Sequence, residues 1–555
     1  MFAIDLKIHN FRSFAEASLS LEKYGLLVGR NNCGKSNVLD AIRVFYNDLK
    51  YEPGRDFPKF PTDDKDAWIE IEFMPTPDEF ITLKDEYKLP EGTFRVRKYL
   101  KSDELDSSGK KKSGIYAYVG GNLSDSRFYG AKPVQQGKFG KVIHIPAVSK
   151  LDENTKLTGP SPLRDLLYLV LNSILEESKA YLKLTEAFKT FEGTLKTETT
   201  TNGISLESIE QEISNELTEW ETEFEISINP LDLQTLVKYL VEHQFKDSTL
   251  DEDMPPESYG QGFQRNLIFS LIRIAAKYSS PVKTRDRKVF SPSLVLLLYE
   301  EPEAFLHPSQ IDSHNTSLRK LAMDESAQVM ITTHNPQFVS RNIDDLPALI
   351  RLRKEGGLSK VGQVKAPQLK SLFHENQEEI KKWEVAGVNV EEEDLTLQME
   401  AAKYALWLNP LRCSSFFANQ VLLVEGATER ALIDTMLSNN EIPDAPQGTF
   451  VLDTLGKYNI HRFMNLFHRL GIPHAVLFDL DEGSHPEIAK TISDSRNEMT
   501  LGIKGFKGEI EDFLGVDKTD HWRKPQHVLC QYREGRINTE RISSLVDIVS
   551  NILTN

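Results

Sequence analysis

The sequence predicts an α/β protein in which a P-loop domain, interrupted by a helical insertion, is followed by a small domain built on a parallel sheet. Three observations carry that expectation. An apolar strand, Gly25-Leu26-Leu27-Val28, runs directly into Gly29-Arg30-Asn31-Asn32-Cys33-Gly34-Lys35-Ser36, and behind it Val38, Leu39, Ile42 and Phe45 repeat at helical spacing. A continuous apolar run over residues 293–299 reads as a buried central strand and ends on two carboxylates, Glu300 and Glu301. Near the C-terminus, apolar runs at 421–424, 450–455 and 475–478 alternate with helical stretches, the rhythm of a parallel α/β sheet.

The elements follow in order. Short strands are expected at 4–8 and 19–21, then the strand entering the P-loop and the helix behind it. Residues 68–73, 94–100 and 116–119 read as antiparallel strands at the edge of this first lobe. From 161 to 244 the pattern turns to long helices rich in Leu, Glu and Lys, broken by a polar turn at 197–203. This insertion is either an arm or dimerisation element, or a helical layer on the same domain. A polar glycine turn and an amphipathic helix (Leu267, Ile268, Leu271, Ile274, Ala275) resume the first fold, and 328–333 is another short strand. The charged stretch 375–394 links to the last domain. The expected division is an N-terminal lobe at 1–160, the insertion at 161–250, a C-terminal lobe at 251–370, a charged helical linker at 371–417 and a final domain at 418–555.

Composition bounds the function. A chain of 555 residues exceeds what one hydrophobic core serves, so two or three domains are expected. Its three cysteines, Cys33, Cys413 and Cys530, are too scattered for a disulfide framework or a zinc site, which fits a reducing cytosol. The opening MFAIDLKIHNFRSF alternates polar and apolar residues and lacks the plan of a secretory signal. No apolar run approaches the roughly 18 residues of a membrane span, so no membrane association is expected and the expected location is cytoplasmic. A net charge of −17 argues against a generally DNA-coating surface, though not against a local basic groove. Arg95, Arg97 and Lys98 with Lys110, Lys111 and Lys112 form one basic stretch, a solvated loop or a DNA contact.

The first chemistry is nucleotide binding. In G-x-x-x-x-G-K-S the glycines let backbone N–H groups curl inward around phosphates, and the helix start adds partial positive charge. Lys35 would reach the β and γ phosphates, and Ser36 would ligate Mg²⁺. Glu300 and Glu301 stand at the carboxyl edge of a central strand, where open α/β sheets bind ligands. Glu300 would complete the Mg²⁺ shell and Glu301 would orient or deprotonate the attacking water, while His334, ending another strand, would sense the γ phosphate. NFRSF at 10–14, the P-loop, SYGQGFQ at 258–264, EEPEAFLHP at 300–308 and TTHNP at 332–336 together resemble the ABC-type ATPases of the RecF, Rad50 and SMC group. That resemblance implies ATP held by Arg12, Gly29, Asn31, Asn32, Gly34, Lys35, Ser36, Asn37 and Glu300. It also implies that Ser258, Gly260 and Gly262 of one subunit close over ATP on the other, in a homodimer or higher homo-oligomer. Glu300 replaces the usual aspartate of that position, a methylene longer, which bears on metal placement and turnover more than on binding.

The second chemistry is acidic. Residues 421–424 lead into Glu425-Gly426-Ala427-Thr428-Glu429, and a later strand ends in Asp479-Leu480-Asp481 with Glu482 adjacent. Carboxylates converging on one sheet edge repel unless cations lie between them, and Mg²⁺ or Mn²⁺ favours such oxygen ligands. Two ions roughly 4 Å apart would clamp the attacking and leaving oxygens of a phosphodiester. Glu425, Asp479 and Asp481 are the expected catalytic centre, with Glu429 as a further metal ligand and another from Glu509, Glu511 or Asp512 in KGEIEDFLG, Glu511 being the choice. Gly456-Lys457 is expected as a turn near the site. Lys524 either stabilises the developing phosphorane or is a solvated surface lysine. VLLVEGATE followed by FDLDEG resembles the Toprim fold, and the whole chain resembles the overcoming-lysogenization-defect (OLD) family of nucleases. The resemblance implies ATP-linked, metal-dependent nicking or cutting of DNA in bacteria or phages, commonly against phage, in some relatives beside a helicase or a retron reverse transcriptase. The alternative is a RecF-like DNA-binding clamp with a non-cleaving Toprim domain. No tyrosine cleavage domain supports a topoisomerase, and no zinc-ribbon cysteines support a primase.

Overall fold

The computed structural model describes residues 1–106, 109–147, 178–220, 222–226, 258–278, 290–292, 294–324, 327–339, 342–480 and 486–554, with short pieces at 164, 167, 171, 174–175, 245–246 and 253–254. The chain forms two compact units, one comprising Met1–Ala147 with Arg287–Asn555, the other Val148–Asp286.

In the first unit, β1 (Phe2–Phe11) and β2 (Phe14–Ser20) make a hairpin longer than the short strands expected, since alternation keeps Leu6, Ile8 and Leu19 inward along its whole length. β3 (Tyr24–Val28) leaves this hairpin for a second sheet. β4 (Ala67–Met74), β5 (Phe94–Lys101), β6 (Gly114–Val119) and β7 (Asn122–Arg127) complete an antiparallel sheet of order β2-β1-β4-β5-β6-β7. β8 (Lys141–Ile145) then starts the second sheet's far edge. The chain passes through the second unit, where helices span Lys179–Thr197 and Leu206–Glu216 with a turn between them. A two-residue ladder pairs β9 (Phe245–Lys246) with β10 (Asp253–Met254), and the helix Gln261–Tyr278 follows.

Back in the first unit, β11 (Val295–Glu300), β12 (Gln328–Thr332), β13 (Leu349–Glu355) and β14 (Leu358–Gln363) give a sheet of order β14-β13-β3-β12-β11-β8. All its pairings are parallel except the β13–β14 hairpin. The P-loop helix Lys35–Phe45 packs in the core shared by both sheets. Phe45, Phe73, Phe94, Phe128 and Phe139 form a chain of ring contacts there, with centroids 5.2 to 5.4 Å apart.

The C-terminal sheet contains β15 (Gln420–Val424), β16 (Thr449–Asp453), β17 (His474–Leu480) and β18 (Thr500–Lys507), all parallel, in the order β16-β15-β17-β18. Helices Ala427–Ser438 and Thr539–Thr554 bury Leu432, Ile433, Leu545 and Val549 in its core. The charged stretch before this domain is fastened rather than free. Helix Ala366–Val385 buries Leu372, Phe373, Ile380 and Trp383, and the Trp383 indole N–H donates to Thr491 Oγ1 at 2.9 Å. On the helix Leu397–Trp407, Glu400 is fully buried and accepts from Arg462 at 2.6 Å. Arg351 on β13 joins the two sheets' domains by donating to the carbonyls of Phe416, Ala418 and Gly471 at 3.0, 2.8 and 2.7 Å. Among the described residues no helix is long and apolar enough to cross a membrane.

Candidate functional site

At the P-loop, Gly29 and Gly34 have φ of 137° and 107°. A Cβ on Gly29 would lie 2.2 Å from Leu352 O, and one on Gly34 would lie 2.5 Å from Ser359 Oγ, so both positions require glycine. Ser359, from β14, is buried and hydrogen-bonds Cys33 O at 2.8 Å and Ser13 Oγ at 2.7 Å, which buttresses the loop from behind. Lys35 is buried and donates to Gly29 O and Arg30 O, both at 2.9 Å, and burial lowers its pKa. Asn31, Asn32 and Ser36 are exposed at the loop and the helix start. Arg12 is held by Asp56 at 2.8 Å, Asp40 at 2.6 Å and Asn37 Oδ1 at 3.2 Å, while Asn37 donates to Ser13 Oγ at 2.7 Å. Burial alone would raise the Asp56 carboxyl, but donors from Arg55, the Glu52 N–H and Arg12 outweigh it and hold the pKa down to about 2.

The two strands that end in Glu300 and Thr332 are parallel neighbours, which places Glu300, Glu301 and His334 at one sheet edge. Glu301 has φ of 44°, and its N–H donates to Thr332 O at 2.8 Å, a strained turn that points the chain out of the strand. Its carboxylate lies 3.7 Å from His334 Nε2, and Glu300 lies 3.1 Å from His144 Nε2 on β8. Burial lowers the His334 pKa and the nearby Lys35 charge adds to that, with Glu301 opposing. Glu303 accepts from Thr333 Oγ1 at 2.7 Å and from the His334 N–H at 2.8 Å, so it braces the histidine turn. Ser258 and Gly260 precede the helix Gln261–Tyr278 of the second unit, and Gly262 is already inside it. Tyr259 stacks on Phe263 at 4.4 Å, and Gln264 donates to Tyr259 O at 2.7 Å.

The acidic site forms at the carboxyl edge of the C-terminal sheet. Glu425 follows β15, and Asp479 near the end of β17 donates its N–H toward Glu425 Oε2 at 3.4 Å. Glu429, in the first turn of its helix, accepts from the Gly426 N–H at 3.0 Å. Burial first, then the charges of Glu425 and Glu511, push the Glu429 pKa up to about 7 against two backbone N–H donors. Glu511 is 2% exposed in the helix Ile510–Leu514. Lys524 pairs with Glu509 and lies 3.7 Å from Glu511 Oε1; these carboxylates raise its pKa although burial opposes them. The lysine expected to face a phosphorane is thus shared between two carboxylates. The turn at Gly456 lies at the site, its N–H donating to Glu425 O at 2.8 Å. Asp453 on β16 is held ionised by Arg412 and by Arg430 at 2.7 Å. Asp481 lies outside the described residues.

Among the described residues, no three acidic, histidine or cysteine side chains already converge as a metal cage. The donor chemistry nevertheless fits Mg²⁺ or Mn²⁺. Glu425, Glu429, Asp479 and Glu511 offer only hard oxygens, and burial, with the Glu425 and Glu511 charges adding to it, holds the Glu429 pKa up. Sequence reasoning missed Ser13, Asp40, Asp56, His144, Glu303, Ser359, Arg412, Arg430 and Asp453. Ser13, Glu303 and Arg430 lie within or beside motifs that carry no sign of their supporting roles, while the others reach the two sites from elsewhere in the chain without a local motif.

A family model described as "AAA ATPase domain" matches residues 1–129 and 124–339, and one described as "Overcoming lysogenization defect protein-like, TOPRIM domain" matches residues 416–481. The chain is 22% identical over 569 residues to "Old nuclease" of Escherichia phage P2, covering 95% of this chain and 87% of that protein. It is 24% identical over 573 residues to "Endonuclease GajA" of Bacillus cereus strain VD045, covering 99% and 81%. Among solved structures, the SMC head domain from Thermotoga maritima is 13% identical and covers 66% of this chain and 100% of that one, with a TM-score of 0.30.

Proposed function

Because the chain belongs to the OLD family, an AAA-type ATPase domain followed by an OLD-like Toprim domain, we propose that it is a metal-dependent DNA endonuclease gated by nucleotide at its P-loop, acting in defence against phage. The observation that carries this reading is the acidic set at the carboxyl edge of the C-terminal sheet, where buried Glu429 feels the charges of half-buried Glu425 and buried Glu511 and the Asp479 N–H reaches toward Glu425 Oε2. With Asp481, these residues would hold divalent ions, which when bound supply charge stabilisation and an activated water. Gly456 and Gly426 fix Glu425 and Glu429 through the 2.8 Å and 3.0 Å bonds described above. Lys524, paired with Glu509, meets the phosphate as negative charge develops.

At the other end, Lys35 would bind the β and γ phosphates of ATP, and Ser36 and Glu300 would hold its Mg²⁺. Glu301 would orient the attacking water and His334, kept neutral by burial and by Lys35, would contact the γ phosphate. Arg12 and Asn37 act as one unit with Asp40 and Asp56, and they set the P-loop helix against the nucleotide. Asn31 and Asn32 lie on the exposed side of the loop, where Ser258, Gly260 and Gly262 of a second subunit would close over ATP in a homodimer. The proposed division keeps the lobes at 1–160 and 251–370, the insertion at 161–250, the linker at 371–417 and the Toprim domain at 418–555, with DNA the substrate in the cytoplasm and a helicase or retron reverse transcriptase a further partner.

The test is conversion of supercoiled plasmid to nicked or linear DNA in Mg²⁺, Mn²⁺ or Ca²⁺. Parent protein should cut in Mg²⁺ or Mn²⁺ and only bind in Ca²⁺, whose longer, looser coordination misplaces the reacting oxygens. Asp479→Ala should not cut in any of them. Equal cutting by Asp479→Ala, or full activity in Ca²⁺, contradicts the assignment; binding without cutting in every metal points to a clamp.

A further inference from the structure

We propose that Trp522 is a base-stacking platform beside the acidic site, so that the site takes DNA with an unstacked nucleotide next to the scissile phosphate. The inference rests on the nuclease reading above and adds to it the local state of the substrate.

Trp522 is 74% exposed, in the short turn His521–Arg523. Leaving an indole in water forfeits a large hydrophobic gain, and metal-carboxylate chemistry offers no reason for it. Its position supplies one. The next helix, Lys524–Arg533, starts two residues later, and Lys524 pairs with Glu509 and lies 3.7 Å from Glu511. The ring is therefore carried by the same short segment that reaches the acidic centre. The Arg523 guanidinium lies over the indole, 5.5 Å from the ring centroid, so the platform brings its own cation.

Other apolar side chains stand exposed at the same edge. Leu455 is 54% exposed with φ of 58°, held out of its preferred backbone region by a turn whose Gly456 N–H bonds Glu425 O at 2.8 Å. Leu480 follows Asp479 directly and is 40% exposed. Apolar side chains set around a polyanion-binding centre match the faces of nucleobases, whose phosphates need the carboxylate-bound cations and whose rings need a flat, dry partner. The guanidinium beside the ring complements a phosphate and the flat indole face complements a base, a combination that the carboxylate surface of another protein does not match. A base inside an intact duplex is already stacked on both faces, so the ring gains only from a nucleotide that is unpaired or pulled out at the cut.

The experiment measures cleavage kinetics in Mg²⁺ on two oligonucleotide duplexes of one sequence, one fully paired and one with a two-nucleotide bubble. Parent, Trp522→Ala and Trp522→Phe are compared, and their oligomeric state is checked by sedimentation. Loss of one stacked base should raise KM about tenfold, equivalent to about 1.4 kcal/mol. Trp522→Ala should show that rise with kcat nearly unchanged, Trp522→Phe should recover most of it, and the parent's preference for the bubbled duplex should vanish in Trp522→Ala. Unchanged KM in Trp522→Ala, an equal bubble preference in parent and Trp522→Ala, or a changed oligomeric state in Trp522→Ala would overturn the proposal while leaving the nuclease intact. Failure of the parent to cut either duplex would overturn both.

Discussion

His474 shows how a single residue ties the C-terminal domain's stability to pH. At the start of β17 its Nδ1–H donates to Ile472 O at 2.9 Å and its Nε2 accepts from Thr500 Oγ1 at 3.0 Å, which fixes one neutral tautomer. Burial pushes its pKa down to about 4. An unfolded histidine titrates near 6.5, so below that pH the unfolded chain takes a proton that the folded one refuses. The contribution is fully present above pH 6.5 and is lost as pH falls from 6.5 to 4, up to about 3 kcal/mol. Thermal melting should therefore fall more steeply from pH 7 to pH 5 for the parent than for His474→Asn; parallel curves would refute the assignment. Residue types at the acidic site were legible because its carboxylates sit at strand ends, Glu425 directly after β15 and Asp479 one residue before the end of β17. Their supports were not. Asp453 reads as one more acid in sequence, and only the fold brings Arg412 and Arg430 onto it.

At the scale of elements, strands and helices with strong periodicity were legible, among them β3, β11, β15, β17 and the helix behind the P-loop. β13 and β14 were not, because LIRLRKE and LSKVGQ spend their alternating positions on charged and small residues. Yet β14 supplies Ser359 to the P-loop, 326 positions away from Cys33, and β13 supplies Arg351 to the C-terminal domain. β7 and β8 were missed for similar reasons, an edge strand of polar residues and a five-residue strand after a glycine-rich loop. The charged stretch before the last domain reads as a tether until Trp383 and Glu400 are seen buried against it. Arg351 makes the element-scale prediction. Burial, with Arg353 beside it, pulls its pKa down to about 10, and its fork satisfies three carbonyl oxygens with no carboxylate partner among the described residues. Arg351→Met should cost about 3 kcal/mol by stranding those acceptors, read as a lower urea midpoint; no change would mean that the joint between β13 and the C-terminal domain carries no stability.

For the whole molecule, the order of two phosphate-handling sites along one chain was legible from motifs alone, since the glycines of one and the strand-end carboxylates of the other are local in sequence. The way they share a compact unit was not, because the joint depends on Arg351 and on buried pairs such as Glu400 with Arg462. The two sites lie in separate sheets of that unit, and a chain that merely carried two independent enzymes would show no dependence of one on the other. The most direct measurement is the initial rate of supercoiled plasmid cleavage in Mg²⁺, with and without ATP, for parent, Lys35→Ala and Asp479→Ala side by side. Coupling of the two sites predicts that ATP changes the parent rate, that Lys35→Ala still cuts but ignores ATP, and that Asp479→Ala never cuts. An equal ATP response in parent and Lys35→Ala, or cutting by Asp479→Ala, would contradict it.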